Sequence, residues 1–362
     1  MRIFVDAHVF DDLNQGSKTY LKGLYTSALR MKSDHEFFFA TNEISSVSRE
    51  FNEQSNVHPL QYTTHNKFIR LGSSIPRMIK NQKIDWAHFQ YISPLIKSCN
   101  EVVTIHDLLF LDYPEYFPLK YRVINKYLFD RSAKRAQWIL TVSEFSKRAI
   151  VRHFHIPPEK IIVTPNGILD LFWEPDKAMS SFANRDFNDF ILYVSRIEPR
   201  KNHIGLLKSY VSLKLWQQGI QLIFVGNLGI PAPKFYAYLH SLPEPVKKFV
   251  IFLEDVALVD LKWLYQHCRL FVYPSLAEGF GIPPLEALAC GASVICSGST
   301  AMSEFRFLKD RLFDPRNQEE LTDKMRYYLD DPGPQDHEAT NQWIKKNYSW
   351  ELSSERLMKL FH

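Results

Sequence analysis

Only 13 of the 362 residues are glycine and only four are cysteine. The thiols, at positions 99, 268, 290 and 296, show neither the paired spacing of a metal site nor the density of a disulfide scaffold. They read as reduced and mostly buried. Long apolar runs are missing too: none approaches the roughly 18 residues that a membrane span needs, which leaves no candidate transmembrane helix. Met1-Arg2-Ile3-Phe4-Val5-Asp6 enters a strand-like segment without the apolar core and cleavage site of a signal peptide, so a cytoplasmic address is expected. No short repeat or low-complexity tract occurs.

What is present is a globular composition, 45% hydrophobic and 23% charged, at a length comfortable for two α/β domains. Short apolar, β-branched runs alternate with helical patterns in the first half, at Ile3–Val5, Phe37–Ala40, Val102–Ile105, Ile139–Val142 and Ile161–Thr164. The second half repeats this at Phe190–Val194, Leu222–Val225, Val250–Leu253, Leu270–Tyr273 and Ser293–Cys296. Alternation of this kind predicts two doubly wound domains on parallel sheets. Gly167 to Phe187 is polar, carries Pro175 and lacks a period, as a linker would. The expected division is 1–172 with 345–362 for the first domain, 173–185 for the linker and 186–344 for the second. The tail from Trp343 to Phe361 is rich in Trp, Tyr, Leu and Ile, and is expected to pack as helices across both domains.

The net charge of +4 is unevenly spread, since residues 1–172 hold 22 Lys/Arg against 17 Asp/Glu. Within them Lys120, Arg122, Lys126, Arg131, Lys134 and Arg135 alternate with Phe117, Tyr121, Val123, Ile124, Tyr127, Leu128 and Phe129. Such a helix suits either contact with anionic lipid at the inner face of a membrane or a packed helix with a solvated charged face. Nucleic acid is not an expected partner.

Two stretches carry chemistry. The first, Pro274-Ser275-Leu276-Ala277-Glu278-Gly279-Phe280-Gly281-Ile282-Pro283-Pro284-Leu285-Glu286, follows the run Leu270–Tyr273 and reads as strand, loop, helix. Gly279 and Gly281 let the loop approach a ligand, and the helix start offers backbone N–H groups and a positive dipole end. Glu278 at the loop and Glu286 two turns along the helix flank this anion site, as the separated phosphate and hydroxyls of a sugar nucleotide would require. The second stretch, Tyr193-Val194-Ser195-Arg196-Ile197-Glu198-Pro199-Arg200-Lys201-Asn202-His203, ends a strand in a basic loop. Arg196 and Lys201 can converge there on one pyrophosphate, although a solvated loop has the same composition.

Together these stretches resemble the retaining glycosyltransferases of family 4, of the GT-B fold. The resemblance spans nearly the whole chain. It extends to Thr104-Ile105-His106-Asp107-Leu108, Thr141-Val142-Ser143-Glu144-Phe145-Ser146, Lys160 to Ile168 and Tyr348-Ser349-Trp350-Glu351. It implies two Rossmann-like domains facing across a cleft, with a C-terminal helix crossing back to the first. By the same resemblance Arg196 and Lys201 hold the donor diphosphate and Glu286 the ribose. Glu278, with the N–H groups of Gly279, Phe280, Gly281 and Ile282, holds the transferred sugar and its phosphate. His106 is expected near the sugar and acceptor, with Asp107 as a helix cap. Gly16, in Asn14-Gln15-Gly16-Ser17, takes the place of a glycine-rich first loop, in single-glycine form.

Departures concern base and sugar. Phe252-Leu253-Glu254-Asp255 lacks the glycine common in the family at that loop, Ser195 stands where a glycine precedes the arginine, and Phe305 to Lys309 lacks the glycine that often follows the acidic position Glu304. The implied activity is transfer of a sugar, mannose by the softer likeness to surface-polysaccharide enzymes, from a nucleoside diphosphate sugar to a glycan or lipid-linked acceptor. No cofactor is expected and, without a paired-aspartate motif, metal-independent chemistry is. An epimerase or phosphorylase on the same fold, or a non-catalytic sugar-nucleotide-binding protein, are the alternatives.

Overall fold

The computed structural model describes residues 1–11, 16–31, 33–51, 54–175, 179–183, 187, 189–331 and 337–361. The chain divides into two compact units, residues 1–167 with 348–362 and residues 168–347. The first is built on seven parallel strands: β1 (Arg2–Asp6), β2 (Glu36–Thr41), β3 (Val57–Gln61), β4 (Trp86–Gln90), β5 (Asn100–Thr104), β6 (Trp138–Thr141) and β7 (Ile161–Val163). Their order is β3-β2-β1-β4-β5-β6-β7. The second holds six: β8 (Phe190–Val194), β9 (Gln221–Val225), β10 (Val250–Leu253), β11 (Leu270–Tyr273), β12 (Val294–Ser297) and β13 (Leu312–Phe313), in the order β10-β9-β8-β11-β12-β13.

Both are doubly wound α/β sheets, as the alternating pattern requires. Central strands are apolar on both faces because helices cover both: Ile3, Phe4 and Val5 of β1 and Ile191, Leu192 and Tyr193 of β8 are fully buried. The strand order reverses between β1 and β4 in one sheet and between β8 and β11 in the other, where crossovers diverge and leave a crevice at the carboxyl ends. The strands absent from the sequence reading have reasons for being so. Trp86-Ala87-His88-Phe89-Gln90 contains no β-branched residue, and β3 carries Pro59, which an edge strand tolerates.

The C-terminal segment returns to the first unit, and its preceding helix does not. His337–Asn347 lies in the second unit, whereas Trp350–Met358 packs along the helix Gly16–Arg30. Trp350 is the anchor. A Cβ at Gly23 would overlap its indole, and one at Gly167 would sit 2.7 Å from its Cγ. Ser353 and Ser354 donate hydrogen bonds to the carbonyls of Pro165 (2.7 Å) and Leu24 (2.6 Å). Of the stretch read as a linker, Phe172 packs on Tyr265 and Ser180 donates to Asp260, both in the second unit.

The basic helix Leu119–Arg135 buries only Phe129, Ser132 and Ala133. Leu119, Tyr121, Val123, Ile124 and Tyr127 are exposed, by 46 to 69%. The apolar stripe is therefore packed in part: Phe117 and Tyr121 meet the Phe110 ring and Phe129 is buried, while the middle of the helix is open. Among the described residues no helix is long and apolar enough to cross a membrane.

Candidate active site

β8 and β11 are neighbours at the switch point of the six-stranded sheet, so the loops that leave their carboxyl ends meet. Leu276 N–H donates to the Arg200 carbonyl at 2.8 Å, tying the two loops together. At the junction Lys201 Nζ lies 2.5 Å from Glu278 Oε1, and Arg200 Nη1 lies 3.1 Å from Oε2. Tyr273 (2.9 Å) and Ser275 (2.7 Å) donate their hydroxyls to the same Oε1. Glu278 is 7% exposed and Lys201 8%. Burial alone would raise the Glu278 carboxyl, but Lys201 and then Arg200 outweigh it and hold it well below the usual carboxylate range.

The backbone of this loop is held from a neighbouring segment that follows β12. Glu278 N–H donates to Thr300 Oγ1 at 3.0 Å, and Thr300 adopts φ +54°, unusual for a β-branched residue. Gly281 caps the helix Ile282–Ala289 at φ +97°, where an added Cβ would meet Met302 at 3.0 Å. The next residues of that helix are Pro283 and Pro284, which lack N–H groups, so the donors that can face an anion end with Ile282. Phe280 is buried and packs edge-on to Phe305. Glu286 is half-buried and receives the Tyr265 hydroxyl at 3.0 Å. Burial raises its carboxyl to about 7, with Tyr265 pulling the other way.

Lys201 and Glu278 are thus brought together, and Arg196 is not joined to them. Its side chain is 61% exposed and reaches Glu198 at 3.4 Å, while Arg200 takes the inner position and bonds the same Glu198 at 3.0 Å. Two arginines four residues apart in one loop gave no sequence signal for which turns inward. The loop after β10 makes its turn without glycine: Asp255 adopts φ +50° and exchanges hydrogen bonds with Asn227, at 2.8 and 3.3 Å. Aspartate tolerates that conformation better than most residues.

In the first unit His106 follows β5 and is buried. Its Nε2 lies 2.9 Å from Gln90 Oε1, and Tyr20 and Tyr91 pack on its ring. Burial lowers it to about 4, so at neutral pH it is an uncharged imidazole. Asp107 Oδ1 accepts the Leu109 N–H at 3.1 Å, a local turn bond at the start of the next short helix. Gly16 opens the helix Gly16–Arg30 and has open space where a Cβ would lie. Asn14 and Gln15 of that loop fall outside the described residues.

The model of the glycosyl transferases group 1 matches residues 176–350, and that of Glycosyltransferase Family 4 matches residues 18–169. O-antigen chain mannosyltransferase B of Escherichia coli is 31% identical over 265 residues, which cover 69% of this chain and 67% of that protein. The chain belongs to this glycosyltransferase family. A second relative, the O-antigen chain mannosyltransferase RfbU of Salmonella typhimurium, is 29% identical over 72% of the glycosyltransferase and 68% of its own length. Among solved structures, sucrose-phosphate synthase from Thermosynechococcus elongatus matches with a TM-score of 0.75 at 15% identity, covering 99% of the glycosyltransferase and 98% of that chain. WaaG, a glycosyltransferase of lipopolysaccharide biosynthesis, matches at 0.70 and 16% identity, over 100% and 99%. These likenesses give the glycosyltransferase the GT-B fold.

The sequence reading missed Arg200, Tyr273, Ser275 and Thr300 around Glu278, and Tyr265 beside Glu286. Arg200 lies inside the basic loop and was legible as a cation. The hydroxyls carried no pattern.

Proposed function

We propose that this glycosyltransferase transfers mannose from a nucleoside diphosphate sugar to a hydroxyl of a glycan or lipid-linked acceptor, with retention at the anomeric carbon, in surface-polysaccharide assembly. The observation that carries the reading is the buried Lys201–Glu278 pair beside the start of the helix Ile282–Ala289, at a strand-order switch point. Mannose is supported by the two relatives named as O-antigen mannosyltransferases.

Departure of the diphosphate builds negative charge on its β-phosphate. In this reading Lys201, released as sugar hydroxyls take Glu278, receives that charge with the N–H at the start of the helix Ile282–Ala289, and Arg196, exposed on the same loop, swings onto the diphosphate. The acceptor hydroxyl passes its proton to the departing phosphate oxygen. Glu278 holds sugar hydroxyls and Glu286 the ribose. Lysine and arginine supply the charge that a divalent ion would otherwise bring, so the reaction proceeds without metal. Neutral His106 accepts or donates one hydrogen bond near the sugar and acceptor.

A thermal-shift screen over nucleoside diphosphate sugars tests the donor. A ligand at 100 times its dissociation constant adds about 2.7 kcal/mol of stability. Stabilisation by a mannose nucleotide, lost in Lys201→Ala, is expected; a response to a different sugar alone overturns mannose, and no response overturns the donor site. Anomeric NMR of the product decides retention.

The exposed stripe Leu119, Tyr121, Val123, Ile124 and Tyr127, interleaved with Lys120, Arg122 and Lys126, rests on anionic lipid in this reading. Leu95 and Ile96, 64 and 61% exposed, extend it, because Arg131 and Arg135 donate to the Leu95 carbonyl. Sedimentation with phosphatidylglycerol vesicles that weakens with salt and with Val123→Ser/Tyr127→Ser supports it, and sedimentation unaffected by both ends it.

A further inference from the structure

Arg70 is a buried cation with no hydrogen-bonded or ion-paired carboxylate among the described residues. It is 8% exposed, and its Nε is buried without a hydrogen-bond partner. Its guanidinium faces the Tyr62 ring, with Cζ 5.4 Å from the centroid. The nearby carboxylate, Asp6, is engaged elsewhere: it accepts the Tyr62 hydroxyl at 2.7 Å and pairs with His8 Nδ1 at 2.8 Å. Burial would raise the Asp6 carboxyl, yet His8 and then Arg70 hold it well below the usual range, which places Arg70 in its field. A buried guanidinium whose donors lack acceptors is costly, and an anionic ligand would supply the acceptors that Asp6, already engaged, does not.

The surroundings fit such a ligand. Tyr62 follows β3 and Asp6 ends β1, so Arg70 sits by the carboxyl ends of strands near the switch point of the seven-stranded sheet. Arg70–Ser74 is a π-helical turn, a rare form enriched at functional sites. Just before it, Lys67 opens the short helical turn Lys67–Ile69 that runs directly into Arg70, three residues on, and is exposed. Between them Phe68 and Ile69 stand 82 and 53% exposed on a turn that Asn66 caps.

We propose that Arg70 and Lys67 form a phosphate subsite in the first unit that takes the phosphate or diphosphate ester of the acceptor, with Phe68 and Ile69 meeting the hydrocarbon attached to it. This names the acceptor as a phosphorylated lipid and rests on the transferase reading above. Lys201 handles the donor's phosphates in the second unit, so the chain carries two separate anion sites.

Titration calorimetry of the full chain with inorganic pyrophosphate, on wild type, Arg70→Met and Lys201→Met, tests it. Two classes of site are expected in wild type, with Arg70→Met weakening one by about tenfold to hundredfold and Lys201→Met the other. Unchanged pyrophosphate binding in Arg70→Met overturns the subsite; if that variant does not fold, Arg70→Gln is measured under the same criterion. Vesicles of phosphatidylcholine with polyprenyl phosphate, with phosphatidylglycerol, or with neither distinguish the source. Binding to polyprenyl phosphate that falls in Arg70→Met supports the acceptor assignment, and loss confined to free pyrophosphate or to phosphatidylglycerol overturns it. Failure of the donor reading is visible separately, as absence of nucleotide-sugar binding by wild type.

Discussion

Lys201 and Glu278 stand 2.5 Å apart, each more than nine-tenths buried, on loops that leave adjacent strands. A ligand phosphate that seeks Lys201 therefore finds its charge already engaged by a carboxylate. Sugar hydroxyls that bond Glu278 free the lysine for the phosphate, so donor sugar and diphosphate are recognised jointly.

Removing Glu278 strands Lys201, whereas removing Lys201 leaves Glu278 with Arg200, Tyr273 and Ser275. Glu278→Gln is therefore expected to cost about 3–5 kcal/mol in urea unfolding and Lys201→Met less, while the double variant recovers part of the Glu278→Gln loss. Activity stays low in all three: by about 100- to 1000-fold in the two that lack Lys201, because the stabilising donor is gone, and in Glu278→Gln because the carboxylate that holds the sugar is lost. A double variant as unstable as the sum of the singles would show that the pair does not act as a unit.

The two glutamates of the motif titrate in opposite directions. Glu278, held at about 2, contributes stability that is present above its ordinary value of 4.5 and is lost as pH falls toward 2. Glu286, raised to about 7, contributes stability that is full below 4.5 and is lost as pH rises through 7. Urea midpoints across this range are expected to show Glu278→Gln flattening the acid limb and Glu286→Gln flattening the loss between 4.5 and 7.

Thr300 separates strain from hydrogen bonding. Thr300→Ser keeps the hydroxyl that receives the Glu278 N–H and is expected to retain activity. Thr300→Gly relieves about 1–2 kcal/mol of left-handed backbone cost, yet loses the bond and with it turnover. Calorimetry and donor turnover on both variants check this; equal turnover in the two would make the hydroxyl irrelevant.

Gly281→Ala sets a side chain at φ +97° and 3.0 Å from Met302, so a stability loss of at least about 1 kcal/mol and weaker donor binding are expected. The comparison is Gly219→Ala, also at positive φ but with open space around it, which should cost stability and spare donor binding.

Much of this was legible in the sequence because burial on both faces writes parallel strands as continuous apolar runs. β8 and β10 match the runs Phe190–Val194 and Val250–Leu253 residue for residue. β4 was illegible because its polar members are satisfied internally: His88 is buried between the Tyr25 hydroxyl at 2.8 Å and Thr104 at 2.7 Å, a pairing made across three elements. At the site, spacing brought out Lys201 and Glu278, but a charge pattern cannot say which of Arg196 and Arg200 faces inward. Glu198 and the Ala277 carbonyl, which bonds Arg200 at 2.9 Å, decide it through tertiary contacts. Arg70 carried no motif; only its missing partner marks it.

The anchoring of Trp350 against Gly23 and Gly167 also orders events during synthesis. While the nascent chain emerges, the first unit waits with an open groove along the helix Gly16–Arg30, since the segment that fills it is translated after the whole second unit. The second unit, contiguous from 168 to 347, can close first. Translation thus finishes the first unit last, and a ribosome that stalls before Trp350 releases a chain whose later half is complete and whose earlier half is not.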